Sequence, residues 1–394
     1  MNPAKTRPHR RQHLLDEHIQ TPALVWDLDT LDERVAALAR FSADNDCALL
    51  YSVKASGVGA VLERIAPEVS GFACSSPFEA QLARHVLGTK GSVHITSPAL
   101  HPGQRETVGS DCDHVTFNSL RQWQSLKSQF DDSIQLGLRI NPELSIVADP
   151  RIDPCRKGSK LGIPLSVLKH ELDATPDLCE GIRGLHIHTA CGNRSFRGLT
   201  ETIDQIEAAL PDLLHQIEWF NLGGGYYFDK IRKIKGFAGA VSRLQEIYGL
   251  RVFIEPGTAL VQNAAVLVST VVDIIDAQTT PIAILDTTLN HMPEAFVYQF
   301  QPPVSAARAG ADHSYVLAGA TCLAGDIFGT YAFDTPLEIG ERLVFEKMGA
   351  YTHGQSHWFN GVNLPAIYTH SAESGLVLER AFTYEDFARR CAVS

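Results

Sequence analysis

Short apolar segments alternate with segments of helical periodicity through residues 23–256, and this alternation constrains the fold more than any other feature of the sequence. Apolar runs such as residues 23–26 are typical of buried strands, whereas residues 31–41 carry apolar side chains at helical spacing. We place the cap of that helix at Asp29 and Thr30. About eight strand candidates, most of them followed by a helix, predict a (β/α)8 barrel. An open, doubly wound sheet is the other α/β fold that the periodicity allows.

The pattern changes after Pro256. Few helical segments follow, and the apolar stretches become rich in residues that favour strands. The candidate strands in this part are residues 264–272, 282–285, 315–317 and 343–346. We therefore predict a second, mainly β domain in the last third of the chain.

Charge and composition exclude several classes of function. The chain has 45 acidic and 34 basic side chains, a net charge of −11, whereas a nucleic-acid binder needs a basic surface. The most apolar window, residues 259–275, is too short and too polar to span a bilayer. Residues 1–13 are basic but precede no apolar core, unlike a signal peptide. We predict a cytoplasmic protein that binds neither nucleic acid nor a membrane and acts on a small molecule.

The cysteines and histidines do not predict a metal site. None of the eight cysteines has CxxC spacing, which argues against a zinc knuckle or a redox pair. His186 and His188 would face the same side of one strand, a spacing that suits zinc, but no third ligand lies at a suggestive distance. We interpret one as stacking over a planar cofactor and the other as part of the packing. A core histidine with a satisfied hydrogen bond is an equally good explanation.

Two charged residues end predicted barrel strands. Lys54 follows the apolar run 48–53, and active sites of barrels lie at this end of their strands, where partial desolvation lowers the pKa of a lysine and suits Schiff-base chemistry. Glu255 ends the last barrel-strand candidate, before Pro256 and Gly257, where its carboxylate could pair with a protonated ring nitrogen. Each has an ordinary alternative: a lysine that snorkels from a strand end, or a glutamate that belongs to a turn.

Three consecutive glycines, Gly223, Gly224 and Gly225, follow another strand candidate. Without side chains, such a backbone can approach a ligand closely and direct N–H groups at a phosphate. The pattern is not a P-loop, because no Gly-Lys-Ser/Thr closes it. A simple tight turn is the alternative.

The β-rich part contains further candidates. Cys322 lies close to Asp326, and a thiol near an acid can donate or accept a proton, although a buried cysteine is more often inert. Tyr351 could bind a phosphate through its hydroxyl group, and Phe359 could line a pocket. Both could equally be core residues.

The order of these residues carries a resemblance that no single residue does. Lys54 within Tyr-Ser-Val-Lys-Ala is followed by His188, the three glycines, Glu-Pro-Gly from residue 255, Cys322 and Gly-Ala-Tyr ending at Tyr351. The chain resembles the fold-type III PLP-dependent decarboxylases, and among them the carboxynorspermidine/carboxyspermidine decarboxylases. The stretches Cys-Leu-Ala-Gly-Asp from Cys322 and Asn-Gly-Val-Asn-Leu-Pro from Asn360 are specific to that subgroup.

The resemblance extends from about Thr21 to Tyr368 and implies the domain organisation. An alanine-racemase-like (β/α)8 barrel would comprise residues 30–262, and a β domain would combine residues 1–29 with 263–394.

The resemblance also implies the roles of the candidates. Lys54 would hold pyridoxal 5'-phosphate as a Schiff base, and Glu255 would keep the pyridine nitrogen protonated, which favours decarboxylation. Cys322, supplied across the interface of a homodimer with shared active sites, would protonate the carbanion. The other implied cofactor contacts are His188, Gly224, Gly225, Gly257, Tyr351 and Arg139, and the implied substrate contacts are Asp286, Asp326 and Phe359.

Two departures from the subgroup concern the substrate. Gly192 and Thr258 stand where the resemblance implies glutamates, and buried ammonium groups need carboxylate partners. The segment before Phe359 instead contains His353 and Trp358, which we include among the predicted substrate contacts. We therefore expect a less cationic substrate, for example an aromatic or phosphate-bearing one.

The predicted activity is removal of the α-carboxylate from an amino-acid terminus of a carboxynorspermidine- or carboxyspermidine-like substrate. The leading alternative is decarboxylation of a carboxy-aminopropyl group on a natural product, such as a nucleotide-peptide antibiotic. A racemase is less favoured because of Glu255. A non-catalytic PLP carrier would lack the β-rich third, and an inactive homologue should have lost Lys54 or Cys322.

Overall fold

A computed structural model describes residues 18–227 and 235–393 of the 394-residue chain. The chain forms two compact units. One comprises residues 32–260, and the other combines the described residues up to Leu31 with those from Val261 onward. Every helix in the described ranges is too short or too polar to cross a membrane.

Seventeen strands and twelve helices make up the described structure. The strands are β1 Ala23–Asp27, β2 Ala48–Ser52, β3 Gly71–Cys74, β4 Ser92–Ser97, β5 His114–Phe117, β6 Gln135–Asn141, β7 Ile163–Pro164, β8 Gly184–Ile187, β9 Trp219–Asn221, β10 Arg251–Ile254, β11 Ala265–Ile275, β12 Ile282–Leu285, β13 His313–Ala318, β14 Ile327–Phe333, β15 Arg342–Phe345, β16 Ala366–Ser371 and β17 Gly375–Arg380. The helices are α1 Leu28–Asp44, α2 Gly59–Ile65, α3 Pro77–Leu87, α4 Arg105–Asp111, α5 Leu120–Leu126, α6 Leu165–Ala174, α7 Arg197–Ala209, α8 Pro211–Gln216, α9 Lys235–Tyr248, α10 Thr258–Val261, α11 Pro293–Tyr298 and α12 Tyr384–Arg390.

The unit of residues 32–260 is a closed parallel barrel. Its strands follow the order β2-β3-β4-β5-β6-β8-β9-β10, and β10 pairs with β2 through Phe253 opposite Ala48 and Ile254 opposite Leu49. This pairing closes the ring, so the barrel prediction is confirmed and the open sheet is excluded. Because all eight strands are parallel, their carboxyl ends meet at one mouth. That mouth therefore receives every residue that directly follows a barrel strand.

The first helix begins earlier than we expected. Helix α1 starts at Leu28, directly after β1, and Asp27 caps it by accepting hydrogen bonds from the backbone N–H of Thr30 at 2.9 Å and its hydroxyl group at 2.7 Å. Asp29 instead accepts a hydrogen bond from the backbone N–H of Ala372 at 3.0 Å. The cap predicted at Asp29 and Thr30 was therefore wrong, because a carboxylate caps a helix from the position before its first turn.

The second unit is a mainly β domain, as predicted. Its main path of strands is β14-β13-β12-β11-β1-β16-β17, and β15 also pairs with β11. Sequence patterns identified four of these strands after Pro256 but missed β14, β16 and β17. Strand β17 is largely exposed, so it lacks the apolar run by which strands were recognised.

The barrel interior contains two stacked histidines. The rings of His94 and His114 lie 3.8 Å apart and nearly parallel, and both contact the edge of Phe253. His94 Nε2 is 2.8 Å from Ser92 Oγ, whereas His114 Nδ1 has no hydrogen-bond partner among the described residues. Burial lowers the pKa of His114 to about 4. Burial also lowers the pKa of His94, and both rings are therefore neutral at pH 7.

Replacing His114 by phenylalanine should reduce the acid sensitivity of the barrel. Burial depresses the folded-state pKa, with Asp113 opposing and Arg251 reinforcing the shift, so the unfolded state binds more protons as pH falls from 6.5 towards 4. The wild type should therefore lose about 2 kcal/mol between pH 7.5 and pH 5 through this group, and His114→Phe should not. Urea unfolding at the two pH values measures the difference. His85→Phe, on the exposed face of α3, is the control.

Candidate active site at the barrel mouth

Lys54 lies at the mouth of the barrel, two residues after β2 ends. Its neighbours Val53 and Ala55 are buried, whereas the lysine side chain is exposed to the open mouth. The surrounding protein still removes enough solvent to lower the pKa of its amine, and the charge of Arg139 adds to this shift while Glu255 opposes it. An amine whose pKa is lowered is more often unprotonated, which is the form that attacks a carbonyl carbon.

Glu255 carries a buried negative charge directly after β10. Its Oε1 accepts a hydrogen bond from Asn221 Nδ2 at 2.7 Å, and its Oε2 lies 3.4 Å from His186 Nε2. Burial alone would raise the pKa of this carboxyl group, but the hydrogen bond to His186 and the attraction to Lys54 outweigh burial and hold the pKa well below its usual range. The site therefore presents an ionised carboxylate to whatever binds in the mouth.

His188 presents a neutral imidazole ring. It follows β8 directly, and its Nδ1 accepts a hydrogen bond from the backbone N–H of Gly224 at 3.3 Å. An accepting Nδ1 places the proton on Nε2 and fixes the ring. Burial lowers the pKa of His188, and the charge of Lys54 adds to that shift. A neutral, oriented ring of this kind can stack on a planar ligand.

The glycine loop allows no side chain. A Cβ atom on Gly224 would lie 2.1 Å from the carbonyl oxygen of Glu255, and one on Gly225, whose φ is +86°, would lie 2.0 Å from that of Ala190. Among the described residues, no group accepts a hydrogen bond from the backbone N–H of Gly225 or Gly257. Free amides in such a loop are suited to an anion such as phosphate.

The structure supplies the third metal-ligand candidate that the sequence did not reveal. One ligand atom each from His186, His188 and Glu255 lie within 4.8 Å of one another. The electrostatic environment nevertheless disfavours a divalent cation. The basic side chains of Lys54 and Arg139 lie close enough to interact electrostatically with Glu255 or with these histidines, and their positive charges would repel a metal ion. The same arrangement suits an uncharged or anionic planar ligand.

Cys322 and Asp326 lie on one turn of the β domain. Cys322 is exposed, and its backbone N–H donates to Asn360 Oδ1 at 2.9 Å. Asp326 is buried and accepts hydrogen bonds from the backbone N–H groups of Leu289 and Thr321 at 2.8 and 3.1 Å, and from the Thr321 hydroxyl group at 2.6 Å. In this structure Asp326 orders the turn, and its predicted contact with substrate stays a prediction.

Asp286 likewise binds its own domain. Its Oδ1 accepts hydrogen bonds from Ser269 Oγ at 2.7 Å and from the backbone N–H of Thr270 at 2.9 Å. Its Oδ2 accepts one from Thr21 Oγ1 at 2.6 Å. These contacts tie the segment before β1 to β11, and the predicted role of Asp286 in substrate binding is untested.

The remaining candidates lie in the loop between β15 and β16. Phe359 is 42% exposed, and Tyr351 has a left-handed backbone with φ +59°. His353 is half-buried, which lowers its pKa. The Trp358 indole packs edge-on against Phe382 and Phe387 and donates to Asn363 Oδ1 at 3.3 Å, so it supports the C-terminal segment. The contacts predicted for these four residues with cofactor or substrate stay predictions.

Two asparagines that sequence reasoning did not assign are part of the local geometry. Asn221 donates to Glu255 and accepts a hydrogen bond from the backbone N–H of Gly223 at 2.9 Å, so one side chain links the carboxylate to the glycine loop. Asn360 contacts Cys322. The only sequence signal for Asn221 is its position at the end of a strand directly before the glycines.

Comparison with known proteins decides the family. The profile of the family described as "Pyridoxal-dependent decarboxylase, C-terminal sheet domain" matches residues 26–349. The chain belongs to this family. It is a pyridoxal-phosphate-dependent decarboxylase of fold-type III, and the resemblance inferred from the sequence is confirmed.

Full-length relatives support the same conclusion. The chain is 34% identical to carboxyaminopropylagmatine decarboxylase of Synechocystis sp., over 94% of this chain and 95% of the relative. It is 30% identical to carboxynorspermidine/carboxyspermidine decarboxylase of Herminiimonas arsenicoxydans, over 94% and 98%. The crystal structure of carboxynorspermidine decarboxylase from Campylobacter jejuni, complexed with norspermidine, superposes with a TM-score of 0.84 at 29% identity, covering 94% of this chain and all of that one.

The residues at the mouth fit pyridoxal phosphate. Lys54 would supply the amine that its aldehyde requires, and the ionised Glu255 would be a suitable partner for a protonated ring nitrogen. The unpaired amides of Gly225 and Gly257 suit its phosphate, and His188 suits its ring face. Arg139 on β6 is paired in register with His186 and adds positive charge beside the carboxylate.

Gly225→Ala should weaken cofactor binding strongly. The new Cβ would meet a carbonyl oxygen at 2.0 Å in a backbone conformation that L-residues rarely adopt, so the loop must move and its amides must turn away. Titration with pyridoxal phosphate, followed by visible absorbance, should give a Kd raised by about tenfold or more. Gly239→Ala, where a Cβ meets nothing within 4 Å, is the matched control. An unchanged Kd for Gly225→Ala would refute the phosphate assignment.

Proposed function

We propose that this enzyme removes the α-carboxylate of a carboxy-aminopropyl terminus on a carboxynorspermidine- or carboxyspermidine-like amine. The substrates named for relatives that are at least 30% identical over nearly the whole chain are carboxyaminopropylagmatine, carboxynorspermidine and carboxyspermidine. The reacting group common to these names is the carboxy-aminopropyl terminus, and this common group is the observation that carries the proposal. Their distal parts differ.

The residues at the barrel mouth support this reaction. Pyridoxal phosphate, when bound, withdraws the electron pair that loss of CO2 leaves on the former α-carbon. Lys54 would hold the cofactor covalently through its amine, whose lowered pKa favours the unprotonated form. Glu255 keeps a proton on the ring nitrogen, because its own pKa lies well below the usual range and a carboxylate is therefore always available to pair with it.

Cys322 is the proposed proton donor to the former α-carbon. Its side chain is exposed on a turn whose backbone is ordered by Asp326 and Asn360. An exposed thiol can give up its proton and regain one from solvent. We interpret Phe359, exposed one residue before Asn360, as part of the pocket wall.

One loop of the barrel bears on the distal part of the substrate. At the position where the resemblance implies a glutamate, Gly192 has φ +73°, and a Cβ there would lie 3.5 Å from the ring of Tyr227. The Arg194 guanidinium lies 5.9 Å from the centre of the same ring. Gly192 supplies no carboxylate for a distal ammonium group, and the nearby Tyr227 ring already has a cationic neighbour, so this loop favours a distal group other than a simple ammonium. A natural-product conjugate remains the alternative.

The proposal predicts CO2 release from compounds that carry a carboxy-aminopropyl group. Carboxynorspermidine, carboxyspermidine and carboxyaminopropylagmatine should be decarboxylated with a kcat/KM about tenfold or more above that for diaminopimelate. Lys54→Ala should lower CO2 release by about a thousandfold or more, because the covalent anchor is lost, and should abolish the visible absorbance of the bound cofactor.

Lys157→Ala, which removes an exposed lysine of the same unit, should leave both readings unchanged. Racemisation of an amino acid without CO2 release would defeat the decarboxylase proposal.

We further propose a homodimer in which Cys322 serves the partner's barrel. Exposed apolar side chains surround the Cys322 turn: Phe296, Leu323 and Ile327 are 43 to 50% exposed, and Phe296 lies beside Gly325. Clustered exposed apolar residues support a protein interface. Because the proposed proton donor lies within this apolar patch, we propose that a second copy of the chain covers the patch.

All eight cysteines are free, which supports the predicted cytoplasmic location.

Mixing two variants that each fail to form the amine product tests the shared site. When Lys54→Ala and Cys322→Ala chains are unfolded and refolded together, half of the dimers are mixed and each has one intact site, so about a quarter of the wild-type rate of amine formation should return. Lys54→Ala mixed with Glu255→Ala is the control, because both changes lie in the barrel and no mixed dimer regains an intact site. Equal recovery in the two mixtures, or none in either, would contradict the proposal.

A further inference from the structure

The Asn360 side chain binds the backbone of the proposed proton donor. The N–H of Cys322 donates to Asn360 Oδ1 at 2.9 Å. The partner atom must be the amide oxygen, because a backbone N–H can only donate. This hydrogen bond joins two segments that are 38 residues apart in the sequence.

The backbone of Asn360 is shaped for this contact. Asn360 has φ +54° and ψ 13°, a left-handed conformation within the turn Phe359–Gly361. Asparagine tolerates this region better than most residues. The turn thereby directs the Asn360 amide at Cys322, while the preceding residue, Phe359, keeps an exposed ring.

The rest of the Cys322 turn is held independently of Asn360. Asp326 accepts two hydrogen bonds from Thr321 and one from the backbone N–H of Leu289. The backbone N–H of Ala320 donates to the carbonyl oxygen of Thr287 at 2.9 Å. Loss of the Asn360 side chain would therefore release Cys322 itself and leave the base of the turn in place.

We propose that Asn360 is a positioning residue that holds the Cys322 thiol in line with the former α-carbon, and so decides which carbon is protonated. This inference rests on the proposed role of Cys322. The electron pair that loss of CO2 leaves on the former α-carbon takes the thiol proton to form a C–H bond. The thiolate then regains a proton from solvent. The product is the aminopropyl compound.

A displaced thiol would change the product but not the one CO2 released per event. The electron pair would then be protonated on the cofactor side, hydrolysis of the C=N bond would consume one water, and an aldehyde would be released. The substrate amino group would stay on the cofactor, so fresh pyridoxal phosphate would have to replace it before the next turnover. The ratio of aldehyde to CO2 therefore reports where the proton was delivered, which a general loss of stability would not alter.

Asn360→Gly tests the inference in the holoenzyme, because glycine keeps the left-handed backbone and deletes only the acceptor. The ratio of aldehyde to CO2 should rise by roughly three- to tenfold, the effect of one lost hydrogen bond. Hydrogen exchange at the Cys322 amide should accelerate by a similar factor. Asn360→Asp retains an acceptor oxygen and should restore the wild-type product ratio. Asn360→Ser, whose hydroxyl group is too short to reach, should behave like Asn360→Gly and serves if that variant folds poorly.

Asn363→Ala is the matched control, because it removes an asparagine side chain of the same segment that contacts Trp358 and the Phe382 carbonyl oxygen but not Cys322. It should leave the product ratio unchanged. Faster amide exchange in Asn360→Gly with a wild-type product ratio would overturn the inference while leaving the proposed function intact. A wild-type product ratio in Cys322→Ala would instead overturn the role of Cys322 and the inference together.

Discussion

The ionised carboxylate of Glu255, buried at the mouth of the barrel, is the interaction on which the proposed chemistry depends. A buried charge is costly unless it is paired and hydrogen-bonded. Asn221 and His186 supply hydrogen bonds, and Lys54 supplies attraction across the mouth. The partners come from three different strands or strand ends, so the charge is stabilised only when the barrel is closed. The cofactor site and the fold therefore depend on each other.

The β domain uses its carboxylates in a different way. Asp286 and Asp326 each accept three hydrogen bonds from neighbouring backbone and hydroxyl groups. Carboxylates saturated in this way hold chain segments together rather than offer charge to a ligand. The consequence is a rigid support for an exposed thiol: the Cys322 turn has a hydrogen-bonded backbone beneath the exposed side chain, and Asn360 completes that support.

Much of the barrel could be predicted from local patterns, and the errors have identifiable causes. Strand and helix periodicity predicted the barrel, because most of its strands are short buried runs, but residues 23–26 of the same alternating pattern form β1 of the β domain. The cap of α1 was misplaced because Asp27 and Asp29 both precede apolar helical residues, and only the positions of Thr30 and Ala372 decide between them. Strand β17 was missed because it is exposed on both faces along most of its length. Exposed strands lack the signal that burial imposes.

Local sequence patterns suffice to place Lys54 and Glu255 at strand ends, and they share one mouth because parallel strands place all their carboxyl ends on the same side. Three contacts emerge only from the packed fold: Asn221 links the glycines to the carboxylate, β10 closes on β2, and Asn360 reaches Cys322. These contacts join segments separated by tens to hundreds of residues. No local periodicity encodes such a pairing, since it depends on how whole elements pack in space.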